Sequence, residues 1–165
     1  MKRGDIVEFK VGGRTSGILS RILKFFERDW DRWGWHLGIA YEKSYDGWYI
    51  MEATGEGTQT HYYPTWYLEK YTRSYKWFDR VPNKKKMAKF REGYVGKKYD
   101  VAVYFWTALQ YIIRHYFNRR IPRLLDDRFT CWELVGDFCE YMGKPIQSKY
   151  DCPILTDILK ELKNG

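Results

Sequence analysis

The chain has 165 residues, enough for one domain that buries a core without metals or disulfides. Its composition, 44% hydrophobic and 30% charged, is that of a globular domain and holds no repeat, low-complexity tract or linker. Three cysteines, odd in number and lacking C-x-x-C or a paired histidine, rule out a disulfide framework and a cysteine-type zinc site, so neither metal nor cofactor is expected.

Taken in chain order, "GDIVEFKV" (4–11) follows a turn and alternates like a strand. "SGILSRILKFFER" (16–28) puts Ile18, Leu19, Ile22, Leu23 and Phe26 on one helical face, with Thr15 or Ser16 as cap. "WHLGIAYE" (35–42) and "GWYIMEAT" (47–54) read as strands joined by the polar turn "KSYDG". "TQTHYY" (58–63) and "SYKWFDRV" (74–81) are expected as further strands. Helices follow: Asn83 caps "KKKMAKFREGYV", Gly143 closes "CWELVGDFCEYM", and Asp151 and Pro153 open "ILTDILKELK". Strands in the first half and helices in the second predict an α+β domain over 1–165, an antiparallel sheet packed against helices.

The apolar stretch 101–117 is broken by Thr107, Gln110, Arg114 and His115, too short and polar for a membrane span. It is expected as a buried helix, with an interfacial helix as the alternative. The N-terminus "MKRGDIVEF" carries no apolar signal region, which predicts cytoplasmic synthesis. A net charge of +8 raises the question of an anionic membrane or polymer surface as partner. The basic residues are scattered, dense only at 83–89 and 114–123, and no nucleic-acid-binding motif accompanies them, so a solvated basic face is the simpler reading. Eight tryptophans and fifteen tyrosines exceed what such a core needs, which predicts some aromatic surface lining a groove.

Cys131 carries the sharpest chemical hypothesis. It opens a helical segment, where the helix dipole and the nearby arginines Arg119, Arg120, Arg123 and Arg128 favour a thiolate. A nucleophilic thiol needs a base. His115 sits beside Arg114 in the apolar segment; His61, in a polar strand, reads as a substrate contact, a third catalytic residue or neither. His36 begins a strand after a long loop, where an imidazole faces a cleft on a rigid support. Glu52 lies mid-strand among apolar residues, where an unpaired carboxylate is costly, and on the partner of the His36 strand. A solvent-facing Glu52 is the alternative, since alternation sets Ile50, Glu52 and Thr54 opposite Tyr49, Met51 and Ala53. Glu133 is read as structural, paired with Arg128 or Arg123. Cys139 is expected in the core and Cys152 in a loop.

In this order "GDIV", "WHLGIAYE", "YIMEATGEG", "GKKYD" and "FTCWELVGDFCEYMG" resemble the circularly permuted NlpC-type branch of papain-like cysteine peptidases, a group that includes lecithin:retinol acyltransferase-like enzymes. The likeness runs from residue 4 to about 143. It implies a papain-like fold with Cys131 as nucleophile at a helix N-terminus, His36 as base and Glu52 as the residue orienting it. It also places Tyr99 near the active-site helix; with Trp35 and Trp132 it is expected to contact substrate. The family usually has a small residue after the cysteine, where Trp132 stands here, and a shorter stretch than Asp100 to Cys131. The implied activity is cleavage of an amide in a cell-wall-type peptide, reached after lysis or by a phage-borne or secreted route. Alternatives are an acyl-lipid or lipopeptide substrate at a membrane surface, and a binding module on the same scaffold. The oligomeric state is left open.

Overall fold

The computed structural model of the protein describes residues 1–10, 34–99, 128–147 and 155–164. Strands β1 (Ile6–Lys10), β2 (Gly34–Lys43), β3 (Gly47–Thr54), β4 (Gly57–Pro64) and β5 (Thr72–Tyr75) form one antiparallel sheet in the order β4-β3-β2-β1-β5. The helices are α1 (Thr65–Tyr71), α2 (Lys84–Tyr94), α3 (Cys131–Tyr141) and α4 (Leu155–Asn164). A two-residue parallel pair, β6 (Lys98–Tyr99) and β7 (Arg128–Phe129), leads into α3. Among the described residues the domain is therefore α+β, five antiparallel strands with four helices. None of these helices is long and apolar enough to cross a membrane.

Alternation along the strands gives the sheet two apolar faces. Ile6, Leu37, Ile39, Met51 and Ala53 share a core with Leu134, Val135 and Phe138 of α3 and with Ile158, Leu159 and Leu162 of α4. Val7, Phe9, Ala40 and Ile50 form a second cluster around Leu68 of α1. Helix α3 lies against β2 and β3, the two strands that carry His36 and Glu52. Phe138 anchors this layer: it is fully buried, with ring contacts to Phe78 at 5.5 Å and Phe90 at 5.2 Å. Phe138→Ala is expected to cost about 3–5 kcal/mol, read as a lower urea midpoint with an unchanged slope.

The turn between β2 and β3 falls in the expected "KSYDG", and β4 matches the strand expected over 58–63. Asn83 caps α2 by accepting from the Lys85 N–H at 2.8 Å. Gly143, at φ +88°, ends α3 in a Schellman turn: its N–H meets the Glu140 carbonyl, and Lys144 N–H meets Cys139 at 3.0 Å. Two expectations need correction. The strand expected over 74–81 is instead β5, which stops at Tyr75, because Trp77 turns into the core and donates its indole N–H to the Lys144 carbonyl at 2.8 Å. Helix α1 was not expected; it has no side-chain cap and buries a single residue, Leu68. The helix expected over 16–28, the apolar stretch 101–117 with His115, and Cys152 lie outside the described residues.

Candidate active site

The thiol is placed by the start of α3. Thr130 is the N-cap: its hydroxyl accepts from the Glu133 N–H at 3.3 Å, and the Glu133 carboxylate accepts from the Thr130 N–H and hydroxyl, both at 2.9 Å. This capping box fixes Cys131 as the first helical residue, at the positive end of the helix dipole. It also gives Glu133 a structural role, with Thr130 as one partner; Arg123 lies outside the described residues. Thr130→Ala removes the cap hydroxyl and is expected to cost about 1–2 kcal/mol, measurable as a fall in thermal midpoint.

The imidazole and the carboxylate are placed by sheet register. Glu52 pairs with Gly38 on β2 and with Gln59 on β4. Same-face diagonal neighbours lie two residues away, which are His36 on one side and His61 on the other. His36 Nε2 donates to Glu52 Oε2 at 2.5 Å. The second carboxylate oxygen, Oε1, accepts from His61 Nδ1 at 2.8 Å and from the Tyr63 hydroxyl at 2.6 Å. Glu52 is 1% exposed, so the alternative of a solvent-facing side chain does not hold. Gly38 leaves no room opposite it: a Cβ there would come within 2.6 Å of Ile50 Cγ2. Phe9 closes the group from β1, its ring 5.3 Å from His36 and 5.2 Å from Tyr63.

Cys131 joins this group through its electrostatic interaction with His36. With Nε2 committed to Glu52, Nδ1 is the ring nitrogen left for the thiol. Burial alone would push the imidazole pKa down. The adjoining Cys131 sulfur, and then the Glu52 carboxylate, outweigh it and raise the imidazole to about 10. Burial would likewise raise the Glu52 carboxyl, but the hydrogen bond from His36, with those from Tyr63 and His61, holds it below its ordinary value. Burial and the Glu52 charge push the Tyr63 phenol up, so it remains a donor. Chemically, the trio can hold a thiolate beside an imidazolium while an anion steadies the far side of the ring. Cys131 is 1% exposed and His36 is 22% exposed at its side chain, so of the two it is the imidazole that meets solvent.

The structure thus brings together Cys131, His36 and Glu52, and adds two β4 residues to them. The sequence alone leaves His61 open between roles and does not single out Tyr63. Its signal was the i, i+2 spacing of Gln59, His61 and Tyr63, which puts all three on one face of β4. Trp132 is 5% exposed and packs into the α3 core beside Cys131, where the resembling family has a small residue. Tyr99 pairs in β6 with Phe129, two residues ahead of Cys131, and Trp35 precedes His36 in β2. Cys139 is fully buried in the same core, which drives its thiol pKa up. Among the described residues no group of three or more His, Cys, Asp or Glu side chains could hold a metal ion. No protein-family model matches the chain, and no curated protein matches it.

Proposed function

We propose that the protein is a cysteine hydrolase of the permuted, papain-like NlpC type, cleaving an amide bond in a cell-wall-type peptide. One observation carries this reading: the thiol at the first position of α3 interacts electrostatically with an imidazole whose Nε2 lies 2.5 Å from a buried carboxylate. A core cysteine needs no such company, as Cys139 illustrates. The chain order His, Glu, Cys and the packing of the cysteine helix on the sheet support the fold assignment.

In this reaction His36 takes the Cys131 proton and the thiolate sulfur attacks the carbonyl carbon. The tetrahedral oxyanion is met by backbone N–H groups at the start of α3. Collapse breaks the C–N bond, the amine leaves with the proton from His36, and a thioester remains on Cys131. Water then attacks, giving its proton to His36; the acid is released and the thiol restored. Glu52 keeps the imidazole in the tautomer and orientation these transfers need.

The first test is iodoacetamide labelling across pH, read by peptide mass spectrometry. Cys131 is expected to label at neutral pH while Cys139 does not, and His36→Ala to remove that difference. Equal labelling of Cys131 in the two proteins would defeat the proposal and favour a binding module. Trapping of a thioester on Cys131 after exposure to cell-wall peptides or to lipopeptide amides then decides the substrate class.

A further inference from the structure

Building on that hydrolase reading, we infer that His61 and Tyr63 are positioning residues, which hold the outer oxygen of Glu52 and thereby fix the carboxylate that aims His36 at Cys131. A carboxylate turns easily about its last side-chain torsion, whose energy profile is broad and two-fold. A single bond to His36 would leave it free to swing. Here each oxygen has its own duty: among the described residues Oε2 takes only His36, and Oε1 takes both β4 donors, at 2.8 and 2.6 Å.

The donors are themselves braced. The far nitrogen of His61 meets Gln59 Oε1 at 3.1 Å. The Tyr63 ring is held between Phe9, at 5.2 Å, and Tyr67, stacked at 5.4 Å. Among the described residues, the groups bonded to the carboxylate are therefore His36 from β2 and His61 and Tyr63 from β4, with Cys131 of α3 beyond His36. Both β4 donors favour the ionised carboxylate. Losing either one raises the pH at which Glu52 takes up a proton, and His36 loses its anionic partner at that higher pH.

This gives a readout that a merely structural role would leave in place: the acid limb of the rate–pH profile for carbamidomethylation of Cys131 by iodoacetamide. The profile is taken over about pH 4 to 9 on the full chain. Tyr63→Phe keeps the ring and its packing; with His61→Ala it is expected to move the limb up by about one pH unit. His61→Asn, whose amide nitrogen stands where the imidazole Nδ1 does, should return the limb towards wild type. A limb unmoved in both variants overturns the inference, as does a fall in rate that is uniform in pH. The hydrolase reading survives either result as long as His36→Ala still suppresses labelling. If His36→Ala labels like wild type, that reading itself fails.

Discussion

Cys131→Ala and His36→Ala are each expected to lower turnover of the cognate substrate by about 10⁴- to 10⁶-fold, and the double variant to be no slower than either single one. On the proposed mechanism the two side chains act as one device: a thiol without a proton acceptor and a base without a nucleophile are equally idle. Ser at position 131 should do no better than Ala, because a hydroxyl titrates far above a thiol and His36 cannot hold its proton. Single-turnover assays of the four variants decide the matter. Single variants that keep rates within about ten-fold of wild type, or that add independently, would show that Cys131 and His36 do not act together.

Glu52→Ala is expected to cost as much stability as the loss of the Phe138 ring. It strips three donors, His36, His61 and Tyr63, of one buried acceptor, and breaking a buried charge pair from one side costs about 3–5 kcal/mol. The same variant should alter the pH dependence of folding. The Glu52 carboxyl titrates below its ordinary value in the folded protein, so the unfolded chain binds the proton first. The carboxylate's contribution is complete above the unfolded value of about 4.3 and is lost as pH falls through the lower folded value. Urea unfolding at acid pH should therefore show wild-type stability climbing with pH more steeply than in Glu52→Ala. Parallel slopes would mean that the carboxylate is not selectively held ionised.

Much of this arrangement is legible along the chain because its devices are local. Asn83 and Gly143 mark helix ends through contacts within a few residues, and the β2–β3 hairpin is announced by its alternation and polar turn. Cys131 and His36 stand out for the same reason, each at the edge of a regular element. Glu52 is betrayed by being an acid in an apolar strand. What the linear pattern does not hold is register. That His61 and Tyr63 meet the same carboxylate oxygen depends on Gln59 lying opposite Glu52, a fact of pairing between strands rather than of either strand. Helix α1 escaped for a different reason: "TWYLEKY" is short, rich in aromatic residues and capped by no side chain, so tertiary contact through Leu68 selects its conformation. Over 76–81 the apolar residues imitate a strand, although Trp77 and Phe78 are there to fill the core beneath α2 and α3.

The parallel pair β6–β7 has a consequence for how this protein can vary. Lys98 faces Arg128 and Tyr99 faces Phe129, so the chain departs and returns at adjoining points just before Cys131. The pair is moored to the β4 strand, since Thr58 exchanges backbone hydrogen bonds with Lys97 and Gly96, and Gly57 at φ +108° leaves no space for a Cβ against the Lys97 carbonyl. Sequence between the two strands is thus cinched at its base, like cloth gathered by a drawstring. A change of sequence or length between the two strands therefore need not disturb the alignment of Cys131, His36 and the β4 residues, so the reach of the intervening chain and the geometry of this cluster can vary independently.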